Sequence, residues 1–211
     1  MNRTWSLRVG VIEAVALLTL LVPSGAGAVT KEVTVHDSFD GGFDPSQVDL
    51  VVGDVVRWSR DPTAAERHNV RQRKELFLSG PASDDPAWEY QRTFSAGKFA
   101  YNCTVHPVQM TGSVWVSPRM EAAPDGLPFT VRWATSNTNT GRVFDVRYRV
   151  DGGSWRIWKT DTSAFRAVFG KDRRPVRVLR GHTYDFGARS QKRDDTPRLT
   201  SGWSPTLTVT T

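Results

Sequence analysis

A single cysteine, four histidines and three methionines are all that 211 residues offer in thiol, imidazole and thioether side chains. One thiol cannot close an internal disulfide, so packing and hydrogen bonds alone must hold the fold. Long apolar runs are as scarce. The longest, Val9–Val22, covers about 14 residues and includes Glu13, short of the ~20 residues that span a bilayer. No window sustains a helical apolar period. Enzyme signatures are missing too: there is no nucleotide-binding glycine loop, no G-x-S-x-G elbow and no H-E-x-x-H. The chain is therefore not expected to be an enzyme.

What is present begins with the N-terminus. Arg3 and Arg8 precede the apolar run, and Pro23 and Ala26-Gly27-Ala28 follow it. That is the pattern of a secretory leader, and it predicts removal of residues 1–28, no membrane span thereafter, and a periplasmic or extracellular location at the cell envelope. Charge divides the rest. Residues 29–117 carry nine Lys/Arg against twelve Asp/Glu, and residues 118–211 carry seventeen against nine. The two stretches read as units with different surfaces.

Both read as all-β. In 29–117, short apolar or alternating runs (Val33, Val35, Val48, Leu50, Val56, Trp58) are punctuated by Gly41-Gly42, Pro45 and Gly53-Asp54. Residues 60–92 read as long loops with a brief strand at Glu75–Leu78. Strand character returns at Phe94–Cys103 and Gly112–Val116. Beyond Ser117-Pro118, alternating runs at Phe129–Trp133, Phe144–Val150, Trp155–Lys159, Phe165–Phe169, Tyr184–Arg189 and Leu207–Thr210 are separated by turn signals such as Asp125-Gly126 and Asp151-Gly152-Gly153. Their spacing predicts a second antiparallel sandwich.

The chemistry concentrates in Tyr101–Met110, where Cys103, His106 and Met110 fall in C-x2-H-x3-M, with His68 available from upstream. Two histidines, a cysteine and a weak axial methionine form the ligand set of a blue-copper electron-transfer site. The thiolate donates strongly to Cu(II), neutral imidazoles suit both oxidation states, and an axial thioether favours Cu(I). Cys and His also suit zinc or Cu(I) sequestration. With one copper and no second histidine cluster, multicopper-oxidase chemistry has no visible site.

These residues sit in a wider pattern: Phe43-x-Pro45-x-x-Val48, Gly53-Asp54-x-Val56-x-Trp58, His68-x-Val70, Phe94-x-x-Gly97-x-Phe99-x-Tyr101-x-Cys103-x-x-His106-Pro107 and Met110-x-Gly112-x-Val114-x-Val116. Residues 29–117 thereby resemble the plastocyanin/amicyanin-like cupredoxins. The resemblance implies a Greek-key β-sandwich binding one type 1 copper through His68, Cys103, His106 and Met110, with an unidentified redox partner. The His106–Met110 gap is one residue longer than the amicyanin-type loop and one shorter than the plastocyanin type, which leaves Gln109 as a competitor for the axial place. The resemblance also offers Asn69 as a hydrogen-bonding link to the Cys103 loop. Metal-bound histidines generally donate their other ring N–H to an acceptor. His106, beside Pro107 and Val108, is placed near an apolar surface.

Residues 118–211 resemble fibronectin type III domains, on Phe129-x-Val131-x-Trp133, Val146-x-Tyr148-x-Val150, Leu179-x-Gly181-x-Thr183-Tyr184-x-Phe186 and Ser201-x-Trp203-Ser204-Pro205. Tyr184 matches a tyrosine corner. Trp133, Trp155, Trp158 and Trp203 are expected to pack this sandwich. The basic residues are spread along it, which argues against nucleic acid and suits an anionic cell-envelope surface or an acidic partner. His36 and His182 read as structural, Glu66-Arg67 and Asp84-Asp85 as solvated charges, and 60–67 as a surface loop. A copper electron carrier is the primary expectation. Copper storage or delivery, or a cell-surface interaction protein in which the second unit carries function, are the alternatives.

Overall fold

The computed structural model describes residues 27–121, 127–195 and 199–211. The expected leader up to residue 26, the Asp125-Gly126 turn and part of the 191–200 loop lie outside them. No described helix is long and apolar enough to cross a membrane.

The fold is all-β. The first eight strands are β1 (Thr30–Val35), β2 (Phe43–Asp44), β3 (Gln47–Val51), β4 (Val55–Arg60), β5 (Arg71–Gln72), β6 (Glu89–Thr93), β7 (Gly97–Asn102) and β8 (Thr111–Ser117). They form two four-stranded sheets, ordered β2-β1-β4-β6 and β3-β8-β7-β5. The pairs β1/β4 and β3/β8 are parallel and the others antiparallel. Period-two patterning drives each strand's inner face into one core: Val33 and Val35, Val56 and Trp58, Phe99 and Tyr101, and Val114 and Val116 are all buried.

Two expectations need correction here. Glu75–Leu78 is a turn, with Glu75 at φ 53° and only Leu78 bridging to Arg71. Strand β6 falls within the stretch read as loop. Its sequence Glu-Tyr-Gln-Arg-Thr lacks apolar alternation because it pairs as an edge with β4 alone, where polar residues are tolerated.

The remaining strands are β9 (Arg119–Glu121), β10 (Phe129–Arg132), β11 (Arg142–Val150), β12 (Arg156–Thr162), β13 (Arg166–Phe169), β14 (Thr183–Lys192) and β15 (Leu207–Thr210). They layer as β13-β10-β9 and β12-β11-β14-β15, enclosing Phe129, Trp133, Phe144, Phe169 and Phe186. Trp133 and Trp158 join that packing, their rings edge-to-face at 5.7 Å. Trp155 and Trp203 do not. They sandwich the Arg147 guanidinium at 4.2 and 4.3 Å, and Arg149 and Arg189 stack beside them. Arg147 alternates with the buried Val146 and Tyr148, so this stack covers the outer face. Sequence patterning cannot separate an indole that packs inward from one that shields arginines.

The two sets of sheets touch directly. Ala96 N–H donates to Trp133 O at 2.8 Å, and Lys98 and Gly202 exchange both backbone hydrogen bonds at 3.0 and 2.9 Å. The buried apolar residues of both form one continuous cluster.

Gly112 lies opposite Tyr101 in the β7/β8 register, and the buried tyrosine ring folds across it. A Cβ on Gly112 would sit 2.4 Å from Tyr101 Cζ. Gly112→Ala must displace that ring, and overpacking of this kind costs about 1–3 kcal/mol. Chemical denaturation of the variant should show that loss; unchanged stability would contradict the packing described.

Candidate metal centre

The site is assembled by strand register. β5 pairs with β7 so that Arg71 faces Asn102. Extended past the strand ends, this sets Asn69 opposite Thr104, and there the Asn69 side chain completes the ladder: Thr104 N–H donates to Asn69 Oδ1 at 2.8 Å. The same amide donates through Nδ2 to Gly80 O at 3.0 Å. His68 is fixed beside it by paired backbone bonds with Ser83, at 3.0 and 2.9 Å. On the other side, β7 pairs with β8 so that Asn102 faces Thr111. One step further, Cys103 N–H donates to Met110 O at 3.2 Å, and Met110 N–H to His106 O at 2.9 Å. Cys103 and Met110 are thus opposed residues closing a short loop, and opposed side chains share a face.

His68, Cys103 and His106 converge, with one donor atom from each within 4.8 Å of the others. Cys103 Sγ is 4.0 Å from His68 Nδ1. Trigonal donors sharing an ion through bonds of about 2.0–2.3 Å lie roughly 3.5–4 Å apart. Cys103 and His68 are buried, and the His106 side chain is 18% exposed. His106 Nδ1 is buried with no hydrogen-bond partner, an arrangement costly for a polar atom unless something accepts its lone pair. The orphaned nitrogen, the adjacent thiol and the second imidazole fit a soft or borderline metal ion. Met110 is fully buried, whereas Gln109 is exposed. Gly42, at φ 64°, presses on Met110: a Cβ there would lie 3.2 Å from Met110 Cγ.

Two carboxylates that sequence reasoning passed over stand behind the histidines. Asp37 Oδ1 is 3.1 Å from His68 Nε2, and Glu66 Oε2 is 3.6 Å from His106 Nε2. Asp37 also accepts the N–H groups of Ala65 and Glu66 at 2.8 and 2.9 Å, while Glu66 accepts Ser38 N–H at 2.7 Å. Glu66 is therefore no free loop charge. The 60–67 segment is organised from inside, because the buried Arg60 guanidinium donates to the carbonyls of Ala64 and Glu66. No periodic signal marks such contacts; only the adjacency of Asp37 to His36 and of Glu66 to Arg67 was visible. His36 pairs with Asp61 at 2.7 Å and His182 with Asp151 at 2.6 Å, apart from the cluster.

Electrostatics prepare the sulfur. Burial pushes the Cys103 thiol up, but His68 and the backbone amides of Asn69, His106 and Val105 outweigh it and bring the pKa to about 6. Burial opposes the charged form of His68, yet Cys103 and Asp37 together raise its pKa. Burial likewise opposes ionisation of Asp37, and the Ala65 and Glu66 amides with His68 bring it to about 2. A thiolate–imidazole–carboxylate chain results.

No protein-family profile and no curated protein matches the chain. Among solved structures, similar chains are cupredoxins that cover about 40–44% of it. They include an amicyanin mutant in its reduced Cu(I) form at pH 4 (28% identity, 44% of this chain and 86% of that one, TM-score 0.34). A purple cupredoxin from Nitrosopumilus maritimus matches at 23% identity over 40% and 97% of the two chains, TM-score 0.35. Oxidised plastocyanin from Dryopteris crassirhizoma matches at 18% over 41% and 99%, TM-score 0.34.

In the metal-free protein, thiolate absorbance should titrate with a midpoint near 6. Below it the sulfur is protonated, so metal affinity should fall as pH drops through that range. A midpoint near the ordinary 9.0 would contradict the described environment.

Proposed function

We propose that residues 29–117 form a type 1 copper domain that carries single electrons, with His68, Cys103, His106 and Met110 as ligands of one copper ion. The observation that carries this reading is the convergence of His68, Cys103 and His106 around a buried thiol biased toward thiolate. Copper bound there supplies a one-electron couple. The chain's own residues do the rest. Cys103 offers an ionised sulfur without waiting for high pH. His68 keeps Nδ1 toward that sulfur because Asp37 occupies Nε2. The ladder bonds at Asn69 and Met110 hold the ligand loop, which limits rearrangement between oxidation states. Burial of Cys103, His68 and Met110 excludes water. His106 alone of the four keeps an edge toward solvent, flanked by Val105 and Val108 at 50% and 80% exposure, and that edge is the exit for the electron toward a redox partner.

Residues 118–211 form, in this reading, a fibronectin type III-like domain. Its support is the three-plus-four layering and the Tyr184 hydroxyl, which accepts Leu179 N–H at 2.9 Å as a tyrosine corner does. In the same reading its basic composition suits contact with anionic envelope material, in the periplasm or outside the cell, after removal of residues 1–28. No catalytic role is assigned to either domain.

Titration with Cu(II) should saturate at one ion per chain, produce an intense visible thiolate-to-copper band, and give a reversible one-electron couple. Cys103→Ser should abolish the band, and Met110→Leu, which removes even the weak axial donation that Cu(II) receives from the thioether, should raise the potential further. A colourless protein binding only Cu(I) would instead indicate storage or delivery. Absence of stoichiometric copper binding would leave the cell-surface role.

A further inference from the structure

The carboxylates behind the ligand histidines are joined crosswise. Asp37 takes the amides of Ala65 and Glu66, and Glu66 takes the amide of Ser38, so the segments after β1 and β4 each supply the acid that caps the other. The acids then reach the far ring nitrogens of His68 and His106, at 3.1 and 3.6 Å. Among the described residues, no cation other than a histidine pairs with Asp37 or Glu66. Two negative charges therefore lie one imidazole away from the proposed ion.

We infer that Asp37 and Glu66 are positioning residues of the metal centre: Asp37 fixes the His68 imidazole with Nδ1 inward, Glu66 places its charge behind His106, and both make the rings stronger donors, biasing the site toward the oxidised ion. The inference rests on the copper reading. A carboxylate on the outer nitrogen raises the basicity of a ligating histidine and fixes its tautomer. The added negative charge stabilises Cu(II) more than Cu(I), because Coulomb attraction scales with the charge on the ion. Asp37 acts through a direct hydrogen bond on a buried ring. Glu66 acts at longer range on a ring with a solvent edge, where screening weakens it.

The decisive comparison is Cu(II) and Cu(I) affinity, with reduction potential, in full-length Asp37→Asn and Glu66→Gln. Glu66 also accepts the Ser38 hydroxyl at 3.3 Å, and Glu66→Gln can retain both Ser38 bonds, since an amide accepts the backbone N–H and donates to the hydroxyl, so it tests charge without unmaking the loop. Asp37→Asn should weaken Cu(II) about 10- to 100-fold with a smaller loss for Cu(I). Each tenfold difference raises the potential by about 59 mV for one electron. Glu66→Gln should weaken Cu(II) roughly twofold to fivefold, shifting the potential in the same direction. If both variants bind the two ions as the unsubstituted protein does, the inference falls while the copper reading stands. A metal-free readout separates the two ideas. Proton NMR should show a slowly exchanging His68 Nε2–H that disappears in Asp37→Ala; absence of that proton from the unsubstituted, folded protein would overturn the positioning role. An unsubstituted protein that binds no copper would sink the parent reading instead.

Discussion

Everything at the candidate centre depends on the Asn69 side chain standing in for a strand. Its oxygen takes Thr104 N–H and its nitrogen reaches Gly80 O, so one amide couples three segments: the His68 turn, the Cys103 loop and the 79–83 stretch. An amide can do this because it is donor and acceptor at once. Without it, the β5/β7 pairing would end at Arg71–Asn102. Cys103, held by Met110, and His68, held by Ser83, would then lose their direct tie to each other, and a buried thiol without a fixed partner is merely a small hydrophobe. The ladder converts two loop residues into fixed neighbours.

Around that link the protein accumulates polar groups that would be costly in isolation. His68, Asn69 and Arg60 are all buried, and a carboxylate stands at the rear of His68. Each of these is satisfied by a specific partner, whereas His106 Nδ1 is left without one, as are Asn102 Oδ1 and Arg71 Nε on the neighbouring strands. His106 is set apart from those by its convergence with His68 and Cys103. Asp37 and Glu66 carry the same logic outward, spending their lone pairs on backbone amides of the opposing segment and on the rings. Charge, tautomer and loop conformation are consequently set together, and none can be altered without disturbing the others.

Much of this was legible from sequence. Period-two runs located most strands, including β15 to the residue, because alternation against one core leaves an unmistakable pattern. The convergence of His68, Cys103 and His106 was also legible, since three soft or imidazole donors in a chain so poor in them have few innocent explanations. Spacing left Gln109 beside Met110 as an axial candidate, and it does not encode the burial in which the two differ. The edge strand β6 was missed because an edge need not alternate. Asp37 and Glu66 were missed for a different reason: an acid that caps a remote amide looks, in sequence, like any solvated charge. Trp155 and Trp203 mislead in the same way, because indole content reports neither inward packing nor arginine stacking.

X-ray absorption at the copper edge of the loaded protein reads the ligand set itself. One short copper–sulfur bond and two imidazole nitrogens in a single copper environment are the expected result. The short sulfur bond should vanish in Cys103→Ser. A first shell of oxygen and nitrogen alone, or one unchanged by loss of Cys103, would contradict it.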